Sequence, residues 1–278
     1  MPGVTPVQRS EAQAAIARAS AATGVDFNFL LAQAKLESNL DPNARASASS
    51  AAGLYQFIGG TWLDTLNRHG GEHGLDWVDA VISGSGKGAT ISDPGVRAQV
   101  LALRYDPDVS ALMAAELTRD NAADLSGFLG REPDSTELYL AHFLGSAGAR
   151  SFLGALQNSP DAPASVLFPK AAAANRAIFF DDARPRAVGE VMDLLRARVA
   201  NAMGDSADTA LAGTAYTSAA PSRAFQVAQA DFAPATPASR RASMAETLQA
   251  TFGGNDSIGE RAARRIGEAY GKFKAFDL

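Results

Sequence analysis

The sequence predicts a mainly α-helical protein, and three observations carry that prediction. The chain is rich in Ala and poor in β-branched residues, a composition that favours helices. Apolar residues recur at helical spacing in one segment after another, as at Phe27, Leu30, Leu31 and Ala34. Between these segments stand helix-start and helix-stop signals, notably Asp26, Asp41-Pro42, Asp93-Pro94 and Asp106-Pro107-Asp108.

The first helix is expected from Ser10 to Ala22, with Glu11 near its start and Thr23-Gly24 as its break. A second runs from about Asp26, a natural N-cap, to about Ser38, where Asp41-Pro42 ends it because a residue before proline avoids helical angles. Small residues over 43–53 form a loop, and a third helix spans Thr61 to about Arg68. A glycine-rich region extends to Gly88. Asp93-Pro94 opens the next helix, with Val96, Val100, Leu101 and Leu103 as its apolar positions. Asp106 opens another, carrying Val109, Leu112, Met113 and Leu117, and Ser135 caps a helix that reaches Leu144. A helical extension to about Met203 includes Lys170–Phe180 and Val188–Val199. The expected organisation is thus a helical domain over 1–203, an Ala/Ser/Thr/Pro-rich linker over 204–240, and a C-terminal helical segment over 241–278.

Composition excludes several classes of function. The hydrophobic fraction of 46% supplies a core, and the formal net charge of −5 gives no global reason to expect nucleic acid, whose binding needs a basic face. No cysteine means no disulfide and no thiol chemistry. The N-terminus lacks the basic start and apolar run of a secretory signal, and no stretch approaches the roughly 20 apolar residues needed to span a bilayer.

Glu37 is the first candidate for chemistry. It comes three residues after Ala34 and seven after Leu30, which puts it on the apolar face of its helix. Apolar surroundings disfavour the charged form of a carboxyl, which is the tuning a general acid needs. A lone Glu at a helix end more often faces solvent and pairs with a neighbour, here Lys35 or Arg45. The residues C-terminal to Glu37 favour the functional reading.

Glu37-Ser38, then Asp41-Pro42-Asn43-Ala44, a small-residue loop over 46–52, and Gly53-Leu54-Tyr55-Gln56 stand in order. Thr61-Trp62 and Leu103-Arg104-Tyr105-Asp106-Pro107 come next, and Ala141-His142-Phe143-Leu144-Gly145 stands last. Over roughly residues 10–155 this order resembles the catalytic domain of the soluble lytic transglycosylases, relatives of goose-type lysozyme. Their pattern is Glu-Ser, Asn-Pro-x-Ala, a Ser/Gly/Ala loop, Gly-Leu-Met-Gln and Ala-Tyr-Asn-Ala-Gly. The last block departs from it. His142 stands where the family has a tyrosine that hydrogen-bonds the catalytic carboxylate, and Phe143 stands where it has Asn. A neutral imidazole still has a donor for Glu37, while a core histidine satisfied by backbone is the alternative. Phe143 either lines a sugar subsite or fills the core.

The resemblance implies a lysozyme-like helical domain with a helical C-terminal extension. It further implies cleavage of the MurNAc-GlcNAc β-1,4 bond of peptidoglycan, with formation of a 1,6-anhydro end and Glu37 as acid and then base. No cofactor and no metal are implied. Carried over position by position, Ser38, Ser47, Tyr55, Gln56, Ile58, His142 and Phe143 are the expected substrate-binding residues. Ser38 is placed to orient Glu37, and Ala46 competes with Ser47 because the loop is one residue longer than the family's. Gln56 is a substrate contact or a loop brace, Tyr55 a sugar platform or core, and Gly53 a left-handed turn or a close backbone approach.

The partner this implies is the peptidoglycan glycan strand, and the site of action is the cell envelope or periplasm. Without a visible signal, the chain is expected to be a processed form, to leave by another route, or to ride in a phage particle. The C-terminal helices suggest docking to a flagellar, secretion or phage assembly. A hydrolytic muramidase on the same fold is the nearest rival, with Asp64, Glu72, Asp76 or Asp79 as its second carboxylate. A catalytically weak peptidoglycan-binding assembly protein is the other.

Three further signals carry less. His69-Gly70-Gly71-Glu72-His73 spells an inverted zinc-protease motif, but two adjacent glycines oppose the helix it needs. Gly84-Ser85-Gly86-Lys87-Gly88 lacks the spacing of a phosphate loop. Arg261, Arg264, Arg265, Lys272 and Lys274 make the last segment locally basic, which fits a solvated face.

Overall fold

The computed structural model describes residues 4–47 and 49–211, and within them the regular structure is twelve α-helices, three single 3-10 turns and one minimal hairpin. The helices are α1 (Pro6–Thr23), α2 (Phe27–Ser38), α3 (Gly59–His69), α4 (Asp76–Asp79), α5 (Pro94–Ala102), α6 (Pro107–Leu129), α7 (Ser135–Leu144) and α8 (Ser146–Asn158). After them come α9 (Ala164–Leu167), α10 (Pro169–Ala174), α11 (Arg176–Phe179), the antiparallel pair β1 (Phe180–Asp181) and β2 (Arg184–Pro185), and α12 (Val188–Leu211). The mainly helical class expected from composition is the class observed. Among the described residues no helix is long and apolar enough to cross a membrane.

The described chain divides into two compact units, residues 4–59 with 102–211, and residues 60–101. In the first, α1 buries Ala12, Ala15, Ile16 and Ala19 at helical spacing and packs that stripe on α6. Three of these four are alanines, so the two backbones approach closely. α2 is buried over Phe29–Ala34 and lies between α1 and α12, and α7 packs on α6, α8 and α12. α12 contributes Val188, Val191, Met192, Leu195, Val199 and Ala202 as its buried stripe. In the second unit α3 buries Trp62, whose indole N–H donates to the Val100 carbonyl of α5 at 2.8 Å.

Several boundaries differ from the expected ones for identifiable reasons. α1 starts at Pro6, because Thr5 and Gln8 form a capping box around it. α2 does stop at Ser38, as expected, and Asn39 and Leu40 take left-handed backbone angles (φ 54° and 63°) between it and Asp41-Pro42. The cap of α7 is Asp134 instead of Ser135, with Glu137 completing a capping box. Lys170–Phe180 is two short helices separated at Asn175, whose side chain bonds back to Ala171 O. α12 continues to Leu211, so the first residues of the expected linker are helical. The rest of that linker, the C-terminal helical segment and its basic residues lie outside the described residues.

The two weak motifs are turns. α3 ends at His69 and the next glycines enter a single 3-10 turn over Gly71–His73, so no helix carries both histidines. The Gly84–Gly88 stretch lies between the bridged residues Ser83 and Thr90, and the Gly86 N–H donates to Asp64 Oδ1.

One loop connects the fold to the candidate site. Residues 45–57 fold back on themselves through the bridges Arg45–Ala52 and Ala52–Phe57. Arg104, buried ahead of α6, donates from Nη1 to the carbonyls of Ser50 (2.7 Å) and Phe57 (2.9 Å). Gly53 has φ +80°, and a Cβ there would lie 1.8 Å from the Arg104 carbonyl oxygen. Both expected roles of this glycine are therefore present together. Gly53→Ala is expected to destabilise the protein by about 3 kcal/mol, since it adds backbone strain to a clash with a fixed carbonyl. Urea denaturation of the two proteins measures it, and a loss below about 1 kcal/mol would mean that the loop shifts freely.

Candidate active site

α2 is built to place Glu37. Asp26 caps it, accepting from the Phe29 N–H at 2.8 Å, and the left-handed Asn39 closes it one turn past the buried core. Glu37 is 2% exposed, which rules out a solvent-facing carboxyl. Its side-chain partners are on α7, and the exposed Arg45 is not among them.

α7 is held at its own start with equal care. Asp134 accepts from the Glu137 N–H at 2.8 Å while the Asp134 N–H donates to Glu137 Oε2 at 2.7 Å. Arg131 closes on the same carboxylate with both guanidinium arms, at 2.7 and 2.8 Å. The hydrogen bond from Arg131 is the main cause holding the buried Glu137 carboxyl below the usual range, against the desolvation that opposes it. One helical step further, Tyr139 and His142 fall three residues apart on one face. Their rings lie stacked, with centroids 6.2 Å apart.

Both reach Glu37. The Tyr139 hydroxyl donates to Oε1 at 3.3 Å, which is long for an O–H···O bond, since these normally end at about 3.0 Å. The bond strengthens once its acceptor carries a full negative charge. Burial first, and then the neighbouring Glu37 charge, push the Tyr139 phenol well above its ordinary value, so it stays a donor. His142 Nε2 lies 3.3 Å from the same Oε1, but off the direction in which a hydrogen bond forms, and so the nitrogen has no hydrogen-bond partner among the described residues. Glu37 Oε2 is buried and also without one. The result is a carboxyl with one oxygen held and the other buried and unpartnered among the described residues.

The remaining expected residues fall into two groups. Ser38 and Gln56 are braces. Ser38 donates to the Leu54 carbonyl at 2.7 Å, tying the end of α2 to the loop instead of orienting Glu37. Gln56 is buried with φ 49° and donates to the carbonyls of Gly53 (2.9 Å) and Ala44 (3.3 Å). Its amide N–H groups therefore hold the loop, which favours the brace over the substrate contact. Tyr55 and Phe143 are core. The Tyr55 ring is fully buried and its hydroxyl donates to Leu30 O at 3.0 Å, so it offers no face to a sugar. Phe143 is buried and stacks on Phe179. Ile58 is buried, and Ser47 stands exposed on the loop with Ala46 half-buried beside it.

Two residues near Glu37 are not marked by the motifs. Tyr139 sits one helical turn before the position aligned with the family tyrosine, and its signal is its i−3 relation to His142. Gln33, one turn before Glu37 on α2, is buried with its Oε1 unpartnered, and the same kind of spacing points to it. Of the acids considered as a second carboxylate, Asp64 accepts from the Gly86 N–H and pairs with Arg68 at 3.2 Å. Burial, and then Asp76, raise the Asp79 carboxyl above its usual range. No protein-family model matches the chain.

Glu137→Ala is expected to cost about 2 kcal/mol at neutral pH, through the lost cap and the lost charged hydrogen bonds. The sign with pH comes from its depressed folded-state value. The stabilisation is complete above the ordinary carboxylate range and is lost as pH falls through the lower, folded value. Denaturation curves at neutral pH and at about pH 3 should therefore show the gap between wild type and variant narrowing in acid.

Proposed function

We propose that the chain is a peptidoglycan lytic transglycosylase with a lysozyme-like helical domain, Glu37 serving as acid and then base. The observation that carries this is the carboxyl itself, buried at a helix end with Oε1 held by Tyr139 and Oε2 left without a hydrogen-bond partner. Protonated, Glu37 gives its proton from Oε2 to the oxygen bridging muramic acid and glucosamine. The charge developing at the anomeric carbon is stabilised by the sugar's own acetamido group. The muramic C6 hydroxyl then closes onto that carbon, its proton ends on the Glu37 carboxylate, and a 1,6-anhydro end results without water.

Two features favour this chemistry over hydrolysis. A hydrolase of the usual kind sets two carboxyl groups about 5–9.5 Å apart. Among the described residues, the side chains in direct contact with Glu37 are a phenol and an imidazole. A carboxyl only 2% exposed also keeps bulk water away, which favours the substrate's own hydroxyl as nucleophile. Tyr139 takes the part that motif alignment assigns to His142, since it donates to the carboxylate formed after the first proton transfer. On this reading the substrate lies in the cell envelope.

Digestion of purified sacculi with analysis by mass spectrometry tests the proposal. Wild type is expected to release muropeptides one water lighter than reducing ones, and Glu37→Gln none. Tyr139→Phe should keep the product and lower its rate about tenfold to a hundredfold, as loss of one hydrogen bond to a catalytic group does. Reducing ends alone would make the protein a muramidase. Binding without any product, unchanged by Glu37→Gln, would make it an assembly protein.

A further inference from the structure

With Tyr139 holding Glu37, His142 has no part in the chemistry so far, yet its position is specific. It is the more accessible member of the pair, its side chain 9% exposed against 2% for Glu37. Its Nε2 is unpartnered, although it lies 3.3 Å from Glu37 Oε1. A buried nitrogen without a partner loses about 1–3 kcal/mol of hydration, so a fold that only needed to fill this space would do better with an apolar side chain. The Tyr139 ring stacks on the imidazole from the same helix α7, and Glu37 faces it from α2. Nε2, itself buried, and Oε1 stand 3.3 Å apart, close enough to share one sugar hydroxyl.

We propose that His142 is a second catalytic residue, the base that takes the proton of the muramic C6 hydroxyl and passes it to Glu37. This rests on the transglycosylase reading and divides its second half into two proton transfers. In the first half Glu37 Oε2 has already protonated the leaving oxygen, the bond from that oxygen to the anomeric carbon has broken, and Glu37 is a carboxylate. The O6–H bond then breaks, its electron pair forms the O6–C1 bond as the acetamido oxygen releases C1, and the proton goes to Nε2. The imidazolium turns to bring its Nε2–H into line with Glu37 Oε1 and returns that proton there, which restores the acid and the neutral imidazole. The two carboxyl oxygens thus take separate duties, Oε2 toward the leaving oxygen and Oε1 toward the relay. Gln or Asn at position 142 preserves much of the shape and removes the base.

The test uses the full chain on purified sacculi, with anhydro-muropeptide release as the rate. His142→Gln is expected to lower kcat about a hundredfold or more, with KM within about threefold and the melting temperature close to wild type. His142→Ala should recover part of the rate with added imidazole, and that recovery should rise with the basicity of substituted imidazoles. A residue that only fills or braces the site would not produce such a slope. Should His142→Gln fail to fold, the rescue series on His142→Ala decides alone. A His142→Gln rate within about threefold of wild type, or a rescue indifferent to imidazole basicity, overturns the relay while leaving the transglycosylase reading intact. A wild type that releases no anhydro product overturns that reading, and the relay falls with it.

Discussion

A carboxyl kept out of water, with a phenol as its hydrogen-bond donor, is the constraint around which this site is arranged. Removing a polar group from water without full compensation costs a few kcal/mol, and Glu37 recovers part of that through a 3.3 Å bond from Tyr139. Among the described residues no guanidinium or ammonium group neutralises it, as Arg131 does for Glu137 on α7. The contrast between these two buried glutamates is informative. Glu137 has a charged fork and a backbone N–H and serves the fold, whereas Glu37 has one long bond and an open oxygen. A fold seldom carries such an underpaired group without a use for it.

The loop over residues 45–57 shows how much of a motif can be structural. Its carbonyls must find donors once it is folded against the core. Ser38 donates to Leu54, Gln56 to Gly53 and Ala44, and Arg104 to Ser50 and Phe57. Tyr55 reaches in the other direction, to a carbonyl of α2. Four polar side chains in or beside the motif therefore serve the placement of backbone, and Gly53 is required because the Arg104 carbonyl occupies the space of a Cβ. Their effect on any substrate is indirect: they fix the loop that comes after Glu37.

This explains which parts are legible in the sequence. Helix starts are visible at Asp26 and Asp106 because a cap is a local device, read from one side chain and two N–H groups. The end of α2 at Ser38 is legible too, but the left-handed angles at Asn39 and Leu40 are not, since they depend on how the chain must turn into the loop. Glu37 is legible through its apolar face, and Gly53 through its special backbone. Gln56 is ambiguous in principle, because an amide suited to a sugar is equally suited to a carbonyl. Tyr139 is easily passed over because motif alignment fixes attention on position 142. On a helix, residues three apart share a face, so side chains at 139 and 142 reach the same carboxyl oxygen.

The extension beyond the motif-bearing region belongs to this geometry too. Glu37 lies on α2 and its partners on α7, and α12 packs against both of these helices. The buried stripe from Val188 to Ala202 therefore helps to set how far the carboxyl stands from the phenol and the imidazole. Arg198, on the flank of that stripe, places a positive charge that bears on Tyr139 and partly opposes the effects raising its phenol. Two 3.3 Å separations have to be maintained across helices that are far apart in the chain. A third helix bridging the pair is a direct way to hold them, which makes α12 part of the site's scaffold although it lies more than forty residues after α7 begins.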